Sequence, residues 1–487
     1  MKRLFLILSL FLLTFPLIRA EKVLIGSLYY NLNDTDMTAE MTYKSIAMPG
    51  SNYEITGHFI VPSQVSYNGQ NYTVTSIGHH TFWWCYNIES IEIPATVTSI
   101  GSCAFQGCEK LSSINLPKNI KEIEGNVFSE CKSLAQITIP SLVTSIGESA
   151  FYYCLALTSI EIPSSVTSIG KLAFGNCKAL TSVNIPPLVT SIDNVFSGCE
   201  SLEYIKIPET VVTMEGTFNG CSALKSFEIP PLVTSLAYTY GGCVNLKSFE
   251  IPTSITNIDG AFAGTSLEAI EIPSSITSFK DTFDGCKFLT SVIIPTSVTT
   301  IGKSAFDGCT SLETIEIPTS VTTIGDWAFA YCGSLETIEI PTSVTSIGWI
   351  AFGDCSSLTK IVCKGETPPN CEMFYYNNRY CFDEDAYSSC ILYIPEGEDV
   401  LERYKTTEPW SRFFNIVQVD FEDIEDDVEE MPSTGLMEIL NSDDLNVGSY
   451  DVYNLQGVVV KRNASQEELH SLSKGIYIYN GKKILIK

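Results

Sequence analysis

Leu157-Thr-Ser-Ile160-Glu-Ile162-Pro163-Ser-Ser-Val166-Thr-Ser-Ile169-Gly170-Lys-Leu-Ala173-Phe174-Gly-Asn-Cys177 is one copy of a pattern that fills the middle of this 487-residue chain. Its prolines recur at Pro94, Pro117, Pro140, Pro163, Pro186, Pro208, Pro230, Pro252, Pro273, Pro295, Pro318 and Pro341, a spacing of 21 to 23 residues over twelve units. Self-similarity at such a period marks an architecture of stacked units. The unit explains itself physically. Leu-x-x-Ile-x-Ile alternates over its second half, so both Ile point one way from a short strand. Proline ends that strand, because it has no N–H for a further ladder bond. Val-x-x-Ile-Gly makes a second extended stretch, and Gly170 and its equivalents permit a tight corner. Ala-Phe-x-x-Cys then fills the back of the coil. A single unit cannot bury its apolar edge, and stacked units bury it against one another.

These units, over about residues 71 to 363, resemble the leucine-rich repeat, specifically the BspA-like class of bacterial surface proteins. The resemblance implies a curved solenoid and a role in adhesion to host or bacterial surfaces. The expected fold is therefore a β-rich leucine-rich repeat solenoid of the α/β class. It is curved and has about twelve regular units of 21 to 23 residues, β caps, and a small C-terminal β module.

The flanks follow from this frame. Lys2 and Arg3 precede an apolar run, Leu4 to Ile18, and Ala20 offers a cleavage site, so 1–20 reads as a signal peptide. The run is shorter than the roughly 20 residues that span a bilayer, and no membrane span is expected. Residues 21–70 read as an N-terminal β cap with a degenerate first unit at Ile55 to Pro62 and a hairpin-type turn at Asn68-Gly69. The solenoid occupies 71–363. A C-terminal cap with a cysteine-containing insertion covers 364–419, where Trp410, Phe413, Phe414 and Ile416 supply apolar cover. Asp420 to Glu430 carries eight acids in eleven residues, and 420–447 reads as a solvated acidic linker. Residues 448–487 read as a small β module that resembles C-terminal sorting modules of Bacteroidetes secreted proteins. The protein is thus expected to be secreted or held on the outer cell surface.

Of the seventeen cysteines, twelve share one repeat position, from Cys85 to Cys355, with Thr265 standing in the row between Cys243 and Cys286. Stacked Cys about 5 Å apart could be bridged, but free Cys also packs as a small hydrophobe, and ligands arranged one per turn lie in a line rather than a tetrahedron. Cys363, Cys371, Cys381 and Cys390 stand apart. In an exported protein their segment is a candidate for stapling. Four Cys allow three pairings, Cys363 also reads as a core thiol from its inward strand position, and zinc is the other reading. Cys371, Cys381 and Cys390 are the candidates for a disulfide in the cap.

Function classes narrow quickly. There are 56 acidic and 29 basic residues, a net charge of −27, which repels nucleic acid. Four dispersed His (His58, His79, His80 and His470) and the absence of nucleophile, metal or phosphate-loop motifs argue against an enzyme, and no cofactor is expected.

The variable positions should carry function. The outward residue between the two Ile of each strand is Glu92, Asn115, Thr138, Glu161, Asn184, Lys206, Glu228, Glu250, Glu271, Ile293, Glu316 and Glu339, seven of twelve being Glu. Ser or Thr mostly stands two residues earlier. This acidic, hydroxyl-bearing strip either keeps an exposed strand face soluble, binds a basic or polyhydroxylated partner, or bridges Ca²⁺. Trp327 and Trp349 form a second, aromatic candidate, since exposed Trp anchors interfaces. The expected partner is a protein or glycan on a host or bacterial surface. The alternative is a structural or solubilising surface component with no discrete ligand.

Overall fold

The computed structural model describes residues 22–43, 55–225, 228–371, 373 and 379–421, and the backbone of five further strands between 437 and 486. The expected signal peptide and most of the expected acidic linker lie outside the described residues. The chain forms two compact units, residues 1–213 and 214–487.

In the first unit, Val23–Ile25, Leu28–Asn33 and Thr38–Thr42 form an antiparallel sheet. Thr38–Thr42 then pairs in parallel with Gln70–Ile77. Gln64–Tyr67 turns onto Gln70–Ile77 through Asn68 and Gly69, whose φ of 50° and 80° are those of a left-handed hairpin turn. From there the chain coils. A first ladder of parallel strands runs Gly57–Ile60, Ile88–Glu92 and Ser113–Asn115, and again Ser159–Ile160, Ser182–Asn184 and Tyr204–Lys206. A second parallel ladder holds Glu122–Ile123, Ser145–Ile146 and Ser168–Ile169. Equivalent repeat positions face each other, for instance Ile123, Ile146 and Ile169. Each proline carbonyl accepts from the N–H three residues on, as Pro163 does from Val166 at 3.0 Å, which turns the chain from one ladder to the next.

Behind the ladders stands a stack of phenylalanines. Phe82, Phe105, Phe128, Phe151, Phe174 and Phe196 are all buried, with successive ring centroids 5.3–5.7 Å apart and nearly parallel. Their backbones bond from turn to turn, as Phe128 N to Ala150 O at 2.8 Å.

The second unit repeats the plan. Its first ladder includes Ala269–Glu271 with Ser291–Ile293, then Thr337–Ile340, Lys360–Cys363, Ile391–Pro395 and Asn415–Val419. Its second ladder runs Ser278–Phe279, Thr300–Ile301, Thr323–Ile324, Ser346–Ile347 and Asn370–Cys371. Tyr240 replaces one Phe in the stack, which continues through Phe262, Phe283, Phe306, Phe329 and Phe352 to Phe382.

The segment read as an insertion is therefore built as a further turn. Asn370–Cys371 joins the second ladder and Phe382 caps the aromatic stack. Short helices Glu384–Ser389 and Glu398–Thr406 follow. Trp410 and Phe413 are buried against Phe382, whereas Phe414 is 81% exposed and covers nothing. It falls on the outer side because Phe413 ends the 3-10 turn Trp410–Arg412 and the strand Asn415–Val419 starts two residues later.

At the C-terminus, Met437–Glu438, Lys482–Ile486, Gly475–Tyr479, Tyr450–Tyr453 and Val459–Ala464 form one five-stranded sheet in that order. The first of these strands lies within the stretch read as linker.

Candidate functional site: the outward row of the first ladder

The strand period of two sets the site. Ile160 is buried and Glu161, next to it, is exposed. In the second unit Glu228, Glu250, Glu316 and Glu339 are exposed at the equivalent position, and Glu271 is half-buried. Lys247 O accepts from Glu268 N at 3.2 Å, which places Glu250 and Glu271 on adjoining rungs. Glu339 is ion-paired with Lys364 at 3.2 Å, so the strip is neutralised at that end. Beyond Glu339 the equivalent positions hold Val362, which is buried, then Tyr393 and Val417, and Lys360 lies over the Tyr393 ring at 5.1 Å. Lys364 also borders a cleft of about 840 Å³ with Thr342, Glu366, Glu396 and Phe421. Carboxylates, hydroxyls and the Phe421 ring thus meet in this cleft beside Lys364.

Hydroxyls line the second ladder as well. Thr299 Oγ1 donates to Thr277 O, Thr322 to Thr299 O and Thr345 to Thr322 O, at 3.2–3.4 Å. These groups hold one turn to the next and at the same time face water.

Trp327 and Trp349 do touch, edge to face, with centroids 4.4 Å apart. They occupy different repeat positions. Trp349 directly follows its glycine, and Trp327 stands one further on with φ 54°. Both are half-buried, and Lys303 Nζ lies 5.4 Å from the Trp327 ring. The pair belongs to the corner after the second ladder and is no part of the glutamate row.

The row cysteines are free, and all but Cys355 are buried. Ten of the thiols, all but those of Cys85 and Cys221, are seen to reach a phenylalanine carbonyl of the preceding turn, as Cys131 to Phe105 at 3.3 Å and Cys309 to Phe283 at 3.2 Å. Burial pushes their pKa up, to about 12 for Cys85, Cys199 and Cys243. Such thiols stay protonated, which removes them as nucleophiles and ligands. Cys103, outside the row, is half-buried. In the cap, Cys371 and Cys381 are buried with their sulfurs 2.6 Å apart. Cys390 is not with them, since its thiol donates to Leu358 O at 3.0 Å.

One feature had no sequence signal. Burial raises the pKa of Asp307 to about 6, with the charge of Asp284 one turn away adding to it. Both aspartates stand in the Phe-Asp-Gly-Cys corner, where no strand alternation marks which side chains are covered. Among the described residues no group of three or more His, Cys, Asp or Glu is placed to hold a metal ion.

The BspA type leucine rich repeat region model matches residues 75–195, 193–287 and 280–384. The chain belongs to the BspA-type leucine-rich repeat family. A leucine-rich repeat protein from Bacteroides ovatus is 30% identical over 82% of this chain and all of its own, with a TM-score of 0.66. A leucine rich cell surface protein from Faecalibacterium prausnitzii is 30% identical over 71% of this chain and 95% of its own, with a TM-score of 0.51. The pneumococcal vaccine antigen PcpA, at 16% identity, shares the fold over 82% of this chain and 97% of its own, with a TM-score of 0.53. No curated protein matches the chain. Family and fold are consistent with a protein-interaction role, and among the described residues no helix is long and apolar enough to cross a membrane.

Proposed function

We propose that this BspA-type protein is exported and acts at the cell surface or as a secreted protein, adhering to a protein or glycan on a host or bacterial surface through its strand-lined face. The observation that carries the reading is the outward row in the second unit: Glu228, Glu250, Glu271, Glu316 and Glu339 at one repeat position, with hydroxyls beside them. Glu271 and Glu339 stand on strands held turn to turn, Ala269–Glu271 on Ser291–Ile293 and Thr337–Ile340 on Lys360–Cys363, so little ordering entropy is lost there on binding. The apolar run Leu4 to Ile18 supports export, and the C-terminal strand module is read as a sorting signal. No catalytic role is assigned.

Purified protein is screened against matrix proteins, basic proteins and a glycan array, and the strongest binder is compared with the triple variant Glu228→Gln, Glu250→Gln, Glu271→Gln. Removing three charges while keeping shape should slow association at low salt, the signature of lost electrostatic steering. Unchanged association, or no binder at all, would leave the row the solubilising role of a structural surface component.

A further inference from the structure

We infer that Cys371 and Cys381 join as a disulfide under oxidising conditions, while the other fifteen cysteines remain thiols. The two sulfurs lie 2.6 Å apart, closer than unbonded sulfurs settle and a small movement from the about 2.0 Å of an S–S bond. Neither residue reaches this place on a free loop. Cys371 is fixed by the second ladder, where it pairs with Ile347. Cys381 is fixed by its carbonyl, which accepts from Phe352 N at 2.8 Å, next to the stacked Phe352 and Phe382 rings. Two separate turn-to-turn registers thus bring the sulfurs together, and the backbone need not move for them to bond.

The remaining thiols have other engagements. Row thiols point at carbonyls of the preceding turn, which aims each sulfur at backbone oxygen rather than at the next sulfur. Cys390 does the same with Leu358 O. Cys363 is buried near the pair but belongs to the first ladder, where it pairs with Ile340. The bond would tie the second ladder of this turn to its aromatic stack, beneath the Trp410 and Phe413 that close over Phe382.

The chemistry balances with an external disulfide as oxidant. Two thiols lose two protons and two electrons and form one S–S bond, while the oxidant's disulfide is reduced to two thiols. Cys381 is fully buried and Cys371 is 7% exposed. Exchange should therefore occur before this turn closes, and afterwards the bond should resist reductant until the cap opens.

The experiment folds the full chain with oxidised glutathione, alkylates it in denaturant without reduction, and maps peptides by mass spectrometry. The expected result is a single linked pair, Cys371 with Cys381, and fifteen alkylated residues. Incubating the native protein with dithiothreitol should leave the link intact, and adding denaturant with it should release the link. Cys363→Ser should keep the link, whereas Cys371→Ser should leave Cys381 alkylated and lower Tm by a few degrees relative to the oxidised parent but not to the reduced one. Alkylation of all seventeen cysteines after oxidative folding, or links from Cys363 or Cys390 instead, would overturn the assignment. Because no ligand enters this test, its outcome is independent of the adhesion reading.

Discussion

The Thr265 hydroxyl lies 3.4 Å from the Cys286 thiol, and both groups reach the carbonyl of Phe262, at 2.8 Å and 3.0 Å. The row therefore accepts a hydroxyl where a thiol usually stands. What the position requires is a small buried group that gives a second hydrogen bond to a carbonyl already accepting from a backbone N–H, as Phe262 O does from Thr265 N at 3.1 Å. Sulfur fills the space better than oxygen, and threonine compensates with its methyl.

Cys177→Ala removes both the packing and the bond of its thiol to Phe151 O. It should destabilise the first unit by about 1–2 kcal/mol, summing a small cavity and one lost hydrogen bond, while Phe151 O keeps its bond from Cys154 N at 3.1 Å. Cys177→Ser keeps a donor and should cost less. Urea midpoints at constant m-value decide it, and equal losses for the two variants would show that packing alone matters.

The corner glycines make a sharper test. A Cβ on Gly325 would sit 2.6 Å from the Lys303 backbone nitrogen, whereas one on Gly333 would have nothing closer than 3.6 Å. Neither has a left-handed φ, so the difference is contact alone. Gly325→Ala should cost about 2–3 kcal/mol through forced separation of two turns, and Gly333→Ala should change stability by less than about 0.5 kcal/mol. Thermal unfolding of the two variants side by side checks this.

Asp307 should make the second unit more stable in mild acid. Its folded pKa, about 6, lies above the unfolded value because burial and Asp284 disfavour its charge. A group with a raised folded pKa contributes stability that is fully present below the unfolded pKa and lost as pH rises through the folded pKa. Asp307→Asn should therefore stabilise at pH 7 by about 1 kcal/mol, after discounting for its half-exposed position, and should have little effect at pH 3.5. Urea midpoints across pH 3.5–7 give the difference, and a benefit that does not depend on pH would point to packing.

Much of this molecule is legible in the sequence because each repeat position has one environment. Ile, Val, Leu, Ala, Phe and Cys recur where the ladders and the stack are buried, and the outward Glu follows from strand alternation. The rest depends on contacts between turns. Gly170 reads as a tight corner, but the neighbour it must clear lies in another turn: a Cβ there would be 2.4 Å from Glu148 N. One set of left-handed positions lies two residues before the stacked phenylalanine and holds residues as unlike as Asn126, Leu172 and Trp327, so no residue type announces them. The turn carrying Cys371 and Cys381 was hidden by its length, which breaks the 21-to-23 spacing while its ladder register persists. Glu271 looks like its neighbours in sequence, and only the packing around it makes it half-buried.

The last prediction separates the two candidate surfaces. Trp327 and Trp349 pack edge to face at 4.4 Å in the corner after the second ladder, and Lys303 stands near the Trp327 ring. Contact of this kind stabilises by about 0.5–1.5 kcal/mol beyond area burial. Trp327→Ala should lower the unfolding midpoint of the second unit and change the tryptophan emission, since its partner loses one face of its cover. Oligolysine is the probe for the strip, because its attraction reads charge rather than shape. Its association with the Trp327→Ala variant should match the parent at every salt concentration, whereas the Glu228→Gln, Glu250→Gln, Glu271→Gln variant should associate more slowly at low salt and converge with the parent above about 0.5 M, where charges are screened over a few ångströms. If Trp327→Ala weakens capture and the glutamine variant does not, the binding surface lies at the aromatic corner and the glutamate row serves solubility.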